Sequence, residues 1–176
     1  MRNRMIGVVV LGLVISAAVY AQQRGGKTLS AQDALEIQQI YSRFSWALDN
    51  HADNGMAYAR LYTTDGVFEW VEGKARHVGH EMLAKLVMDG HGMDPIKPHF
   101  HVTNIWFEPS PEGARGGAYV ANTSGEGANL IVRWTGTYED TFVKTPQGWK
   151  IKQRKLRIGA LPEPAQYPSE QRLSFN

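Results

Sequence analysis

The run Asn129-Leu-Ile-Val-Arg-Trp-Thr-Gly-Thr-Tyr-Glu-Asp-Thr-Phe-Val143 leads through Thr145-Pro-Gln-Gly148 into Trp149-Lys-Ile-Lys-Gln-Arg-Lys-Leu-Arg-Ile158. Both long runs are rich in β-branched and aromatic residues, and the four residues between them carry the Pro and Gly that reverse a chain at low cost. The whole reads as a long antiparallel hairpin. Towards the N-terminus the two-residue period recurs in His99 to Glu108 and in Gly117 to Thr123, with Pro109 to Gly113 as a second hairpin connection.

Upstream of His99 the period becomes that of helices. Ser30 followed by Asp33 matches an N-cap with an acidic residue at the third helical position. Leu35, Ile37, Ile40, Tyr41, Phe44 and Leu48 then recur every three or four residues as one apolar stripe, which stops at Asp49-Asn50 before the polar turn His51 to Gly55. Met56 to Tyr62 predicts a short second helix. Thr63 to Gly66 is expected to break it before a strand at Val67 to Val71, and Gly79 to Met88 predicts a third helix. Helices first and strands afterwards define one α+β domain: three N-terminal helices packed on a strongly curved antiparallel sheet of five or six strands. Such a sheet makes a cone whose mouth can hold a small molecule.

The ends are different. Met1 to Arg4 is basic, Met5 to Val19 is apolar, and Val19-Tyr20-Ala21 is a small-residue cleavage pattern, so residues 1–21 are expected to be a signal peptide cut after Ala21 and the protein periplasmic or secreted. Residues 22–28 read as a linker, 29–158 as the cone domain and 159–176 as a Pro-containing tail. Without the leader the chain carries 17 basic and 17 acidic side chains, which gives no reason to expect nucleic acid or, after cleavage, a membrane as partner. With no cysteine there is no disulfide, thiolate nucleophile or Cys-based metal site, so the fold must rest on core packing.

Three places can carry chemistry. Asp49 sits at the unfavourable, negative end of the first helix's dipole, beside the apolar stripe, which raises the question of what compensates it. His99 and His101 are two apart on a strand and therefore share a face; the pair can serve as a general base or hold a metal, and His77 and His80 add two more imidazoles. Alternation also places Lys150, Lys152 and Arg154 on one face of the last strand, where they line the cone or face water. Tyr41, Trp46, Tyr58, Tyr62, Trp70, Trp106, Trp134 and Tyr138 are aromatics able to line a pocket or simply fill the core. No nucleotide-binding, nucleophile-elbow or zinc-protease motif is present.

The set Ile37-Gln-Gln-Ile-Tyr-Ser-Arg-Phe-Ser-Trp-Ala-Leu-Asp49, His101-Val-Thr-Asn104, Gly136-Thr-Tyr-Glu-Asp140 and Gly148-Trp-Lys-Ile-Lys-Gln-Arg154 resembles the SnoaL-like and scytalone dehydratase-like branch of the nuclear-transport-factor-2-like superfamily. The resemblance spans about Leu29 to Ile158. It implies a cofactor-free lyase or isomerase that handles a small, cyclic, apolar molecule through an Asp–His pair in the cone, in a chain that self-associates as a dimer or trimer. Asp49 matches the family's catalytic Asp, and Arg154 matches a pocket arginine. The family's catalytic His position falls on Phe100, between His99 and His101. Either a β-bulge re-aims one histidine into the cone or the pair is missing; the resemblance favours His101. The expected catalytic set is therefore Asp49, His101 and Arg154, with Tyr41, Trp46, Tyr62, Trp70, His99, Asn104 and Tyr138 around the substrate, and no cofactor or metal. The competing readings are a non-catalytic periplasmic ligand-binding protein and a His-based metal-binding protein.

Overall fold

The structure is a computed structural model that describes residues 28–91, 98–125 and 129–159. The signal segment with its cleavage site, nearly all of the linker and the tail after Gly159 lie outside the described residues.

Helix α1 runs Ala31–Asp49 and begins with a full capping box: the Asp33 N–H donates to the Ser30 hydroxyl, and the Ser30 N–H donates to the Asp33 carboxylate. Asp33 also accepts from Lys144 Nζ at 2.6 Å and Trp149 Nε1 at 2.8 Å. The start of α1 is thereby pinned to the 145–148 hairpin, 111 residues further along the chain. The expected stripe is the buried face, with Ile37, Ile40, Tyr41, Phe44 and Leu48 all buried. Leu35, read as part of it, is 51% exposed.

Helix α2 is shorter than predicted, Met56–Ala59, and strand β1, Tyr62–Trp70, begins five residues early. The Thr63 to Gly66 segment does not interrupt it, because an irregularity in its pairing between Tyr62 and Val67 absorbs those residues inside the strand. Gly55, at φ 81°, starts α2 in the left-handed region, and a Cβ there would lie 2.5 Å from the Ala84 carbonyl oxygen. Strand β2, Ala75–Val78, is too short to show a period, and α3 runs Gly79–His91 with Leu83, Ala84 and Val87 buried.

The remaining strands, β3 (His99–Pro109), β4 (Ala114–Ser124), β5 (Ile131–Thr145) and β6 (Gly148–Ile158), follow the predicted order and hairpins. They form one six-stranded sheet, β2-β1-β6-β5-β4-β3. The sheet is mixed, which corrects the antiparallel expectation: β1 lies parallel to β6 while every other pair is antiparallel. The long connection through α3 and the β3–β5 meander brings the chain back beside its first strand, and a strand returning by such a crossover can be parallel.

Two bulges decide which side chains enter the cone. In β6, Phe142 opposes Ile151 and Thr141 opposes Gln153, so Lys152 is an extra residue. Alternation restarts there: Trp149 and Ile151 point inward before it, Arg154 and Leu156 after it. This corrects the shared basic face of Lys150, Lys152 and Arg154. Lys150 and Lys152 stay at the surface, whereas Arg154 is fully buried. In β3 the register slips between Thr103 and Trp106, where Asn104 takes φ 52°. The bulge is thus present, but downstream of both histidines, and it turns neither into the cone.

Candidate functional site

Asp49 is the last residue of α1, and its carboxylate reaches the start of β3. Oδ1 accepts the Phe100 backbone N–H at 3.1 Å, and Oδ2 lies 3.1 Å from His99 Nδ1. These contacts are what compensates a carboxylate at the negative end of a helix dipole. Burial raises its pKa above the ordinary Asp value, against the opposing pull of His99 and the Phe100 N–H. The Asp49 side chain is only 16% exposed while that of His99 is 58% exposed, so the acid is sheltered and the imidazole it holds is accessible. A carboxylate on Nδ1 selects the tautomer that leaves Nε2 with a free lone pair.

The partner of Asp49 is therefore His99, in place of the expected His101. His101 hydrogen-bonds through Nε2 to Thr123 Oγ1 at 3.0 Å. Phe100 points the other way from both histidines, is buried, and packs edge-on to Trp134 with ring centroids 5.8 Å apart. His80 lies 3.1 Å from the Tyr62 carbonyl, and among the described residues no three His, Asp or Glu side chains converge as a metal site.

Deeper in the cone Arg154 makes a bidentate pair with Asp140, Nε to Oδ1 and Nη2 to Oδ2, both at 2.7 Å and with both side chains fully buried. Its guanidinium lies 4.2 Å from the ring centroids of Phe44 and of Tyr138 and 5.1 Å from that of Tyr41. Burial alone would favour the neutral form, but Asp140 holds the guanidinium charged. Tyr58 and Tyr62 share a hydroxyl–hydroxyl bond of 2.9 Å, and burial pushes the hydroxyls of Tyr58, Tyr62 and Tyr138 well up, keeping them protonated. Among the described residues Arg154 Nη1 has no hydrogen-bond partner, and the buried Tyr41 hydroxyl faces the Arg154–Asp140 pair.

The structure thus gathers Tyr41, Tyr62, Tyr138 and Arg154 in the interior and Asp49 with His99 at the end of α1. Three expected pocket residues lie elsewhere. Trp46 is 73% exposed on the outer side of α1, since it falls off the apolar stripe. Trp70 ends β1, is 39% exposed and covers Gly73. Asn104 sits at the β3 bulge and lines a groove on the outer face of the sheet with Trp106 and Tyr119. Asp140 was not singled out from sequence, although its two-residue spacing from Tyr138 already put both on one face of β5.

This fold is found in known proteins. The SnoaL-like domain model matches residues 30–155, and the chain belongs to that family. Among solved structures, a protein of unknown function from Mycobacterium tuberculosis is 24% identical with a TM-score of 0.64, covering 73% of this chain and 72% of its own. An NTF2-like protein with a cystatin-like fold from Novosphingobium aromaticivorans is 19% identical with a TM-score of 0.65, covering 89% of this chain and 96% of its own. A Catenulispora acidiphila protein in complex with S-DNPA is 22% identical with a TM-score of 0.64, covering 73% and 95%. No curated protein matches the chain.

Proposed function

We propose that this SnoaL-like protein is a cofactor-independent lyase or isomerase acting on a small, cyclic, largely apolar molecule, with Asp49 and His99 as its proton-transfer pair. The observation that carries the reading is the sheltered Asp49 carboxylate fixed between the Phe100 N–H and His99 Nδ1. His99 Nε2 takes a proton from a carbon next to a carbonyl or a leaving group, and Asp49 stabilises the imidazolium that forms. In an isomerisation the imidazolium returns that proton at a second carbon. In a dehydration the electron pair of the broken C–H bond forms the double bond, and the proton passes to the departing hydroxyl, which leaves as water. Arg154 and Tyr41, both fully buried, lie in the packed interior and do not meet a substrate held at His99. Export to the periplasm and self-association through the outer sheet face belong to the same reading.

A non-catalytic binding role is the second reading, and it rests on Phe100: the position that matches the family's catalytic histidine holds a buried phenyl ring. The two are separated by a thermal-shift screen of small cyclic ketones and alcohols, because a ligand bound only by the folded chain raises its melting temperature. Each hit is then assayed for turnover. Catalysis requires Asp49→Asn and His99→Gln to lower the rate about 100- to 10,000-fold. A hit that binds without chemical change, or whose turnover survives both substitutions, leaves the binding role.

A further inference from the structure

On the side of α1 turned away from the cone an open groove of about 770 Å³ lies between α1, α2 and the start of β6. Its charged lining is Arg43, Arg60 and Lys150, and among the described residues no carboxylate lines it. Lys150 Nζ donates to the Arg60 carbonyl oxygen at 2.6 Å, which holds the ammonium beside the arginines. Among the described residues Arg60 is the one cation of the three with an acid in reach, Asp53 at 2.6 Å. Burial first, and then the neighbouring Arg43 and Arg60, hold the Lys150 ammonium below the usual lysine range. Beside it stands the Trp46 indole, one helical turn on from Arg43 and 73% exposed. A tryptophan normally buries most of its surface, and this one presents an aromatic platform at the edge of a basic groove.

We propose that this groove binds a small aromatic carboxylate, its ring stacked on Trp46 and its carboxylate held by Arg43 and Lys150. The volume is in the range of small-molecule sites. The chemistry is complementary on both counts, since an indole takes a flat ring and a guanidinium takes a carboxylate in bidentate fashion. The site is separate from Asp49 and His99, so it stands or falls independently of the proposed reaction.

The test uses 2-naphthoate as probe, titrated by calorimetry into the intact chain, with cyclohexanecarboxylate and inorganic phosphate as comparators. The expected result is one site with a Kd of about 1 mM or tighter. Trp46→Ala, Arg43→Gln and Lys150→Gln should each weaken it about three- to tenfold, with unchanged melting temperatures. Cyclohexanecarboxylate should bind more weakly than naphthoate, and phosphate should not compete at equal concentration. Absence of binding, binding untouched by Trp46→Ala and Arg43→Gln, or phosphate competing as well as naphthoate each overturns the proposal. If any variant melts early, the same titration on Trp46→Phe, which keeps a ring, must retain most of the affinity.

Discussion

Replacing Asp140 with Leu strands a charge. Arg154 is fully buried and commits its Nε and Nη2 to that one carboxylate, with Nη1 without a partner among the described residues. Removing one member of a buried ion pair costs about 3–5 kcal/mol, because the survivor keeps its desolvation penalty and loses its compensation. In a domain of this size each kcal/mol lowers the melting temperature by about 3–5 °C, so Asp140→Leu should melt roughly 10–20 °C lower. The rings of Phe44 and Tyr138, 4.2 Å from the guanidinium, recover only a small part of this, since a cation–π contact is worth about 0.5–2 kcal/mol and is already present in the native chain. Adding Arg154→Met should reverse most of the loss, because methionine fills the aromatic cage without a charge. The assay is urea and thermal unfolding followed by circular dichroism for the native chain, both single variants and the double variant. An Asp140→Leu loss below about 1 kcal/mol, or a double variant no more stable than the singles, would refute the reasoning.

Asp49→Asn should leave stability at neutral pH unchanged or raised. The folded pKa of Asp49 lies above its unfolded value, so its stabilising contribution is complete below about pH 3.8 and is lost as the pH rises through the folded pKa. The variant should lack that decline when urea midpoints are compared between about pH 3 and 7. Asp33 has the opposite sign: Lys144, Trp149 and Ser30 hold its carboxyl far below the usual range, so its contribution is present above about pH 3.8 and is lost on acidification, a loss that Asp33→Asn should abolish in the same titration. Ser30→Ala removes the cap and should cost about 1 kcal/mol in urea unfolding. His101→Ala should leave turnover of any substrate within about threefold of the native chain, since its ring is engaged with Thr123 and not with Asp49.

The fold was legible because its signals are local. The Ser30–Asp33 cap, the stripe from Ile37 to Leu48 and the turns at 109–113 and 145–148 each depend on a few neighbouring residues. Long-range pairing left no such trace, so the parallel β1–β6 contact and the four-residue β2 were not visible. At the site, Asp49 and Arg154 were visible as residue types in place, but their partners were set by register. One extra residue at Lys152 turned Arg154 inward onto Asp140, and a bulge at Asn104 rather than before His101 left Phe100 facing the cone. Register slips of one residue exchange the faces of a strand, and sequence alternation alone does not record where they occur. His99 was expected only around the substrate, and its pairing with Asp49 is visible only in the 3.1 Å contact between them.

The most direct test of the Asp49–His99 pair needs no substrate: long-range nitrogen–proton correlation NMR of the His99 imidazole, at a pH where the ring is neutral. The predicted result is a protonated Nδ1 with a lone-pair nitrogen at Nε2, and loss of that preference in Asp49→Asn. A ring protonated at Nε2 in the native chain, or a tautomer unchanged by Asp49→Asn, would contradict the account.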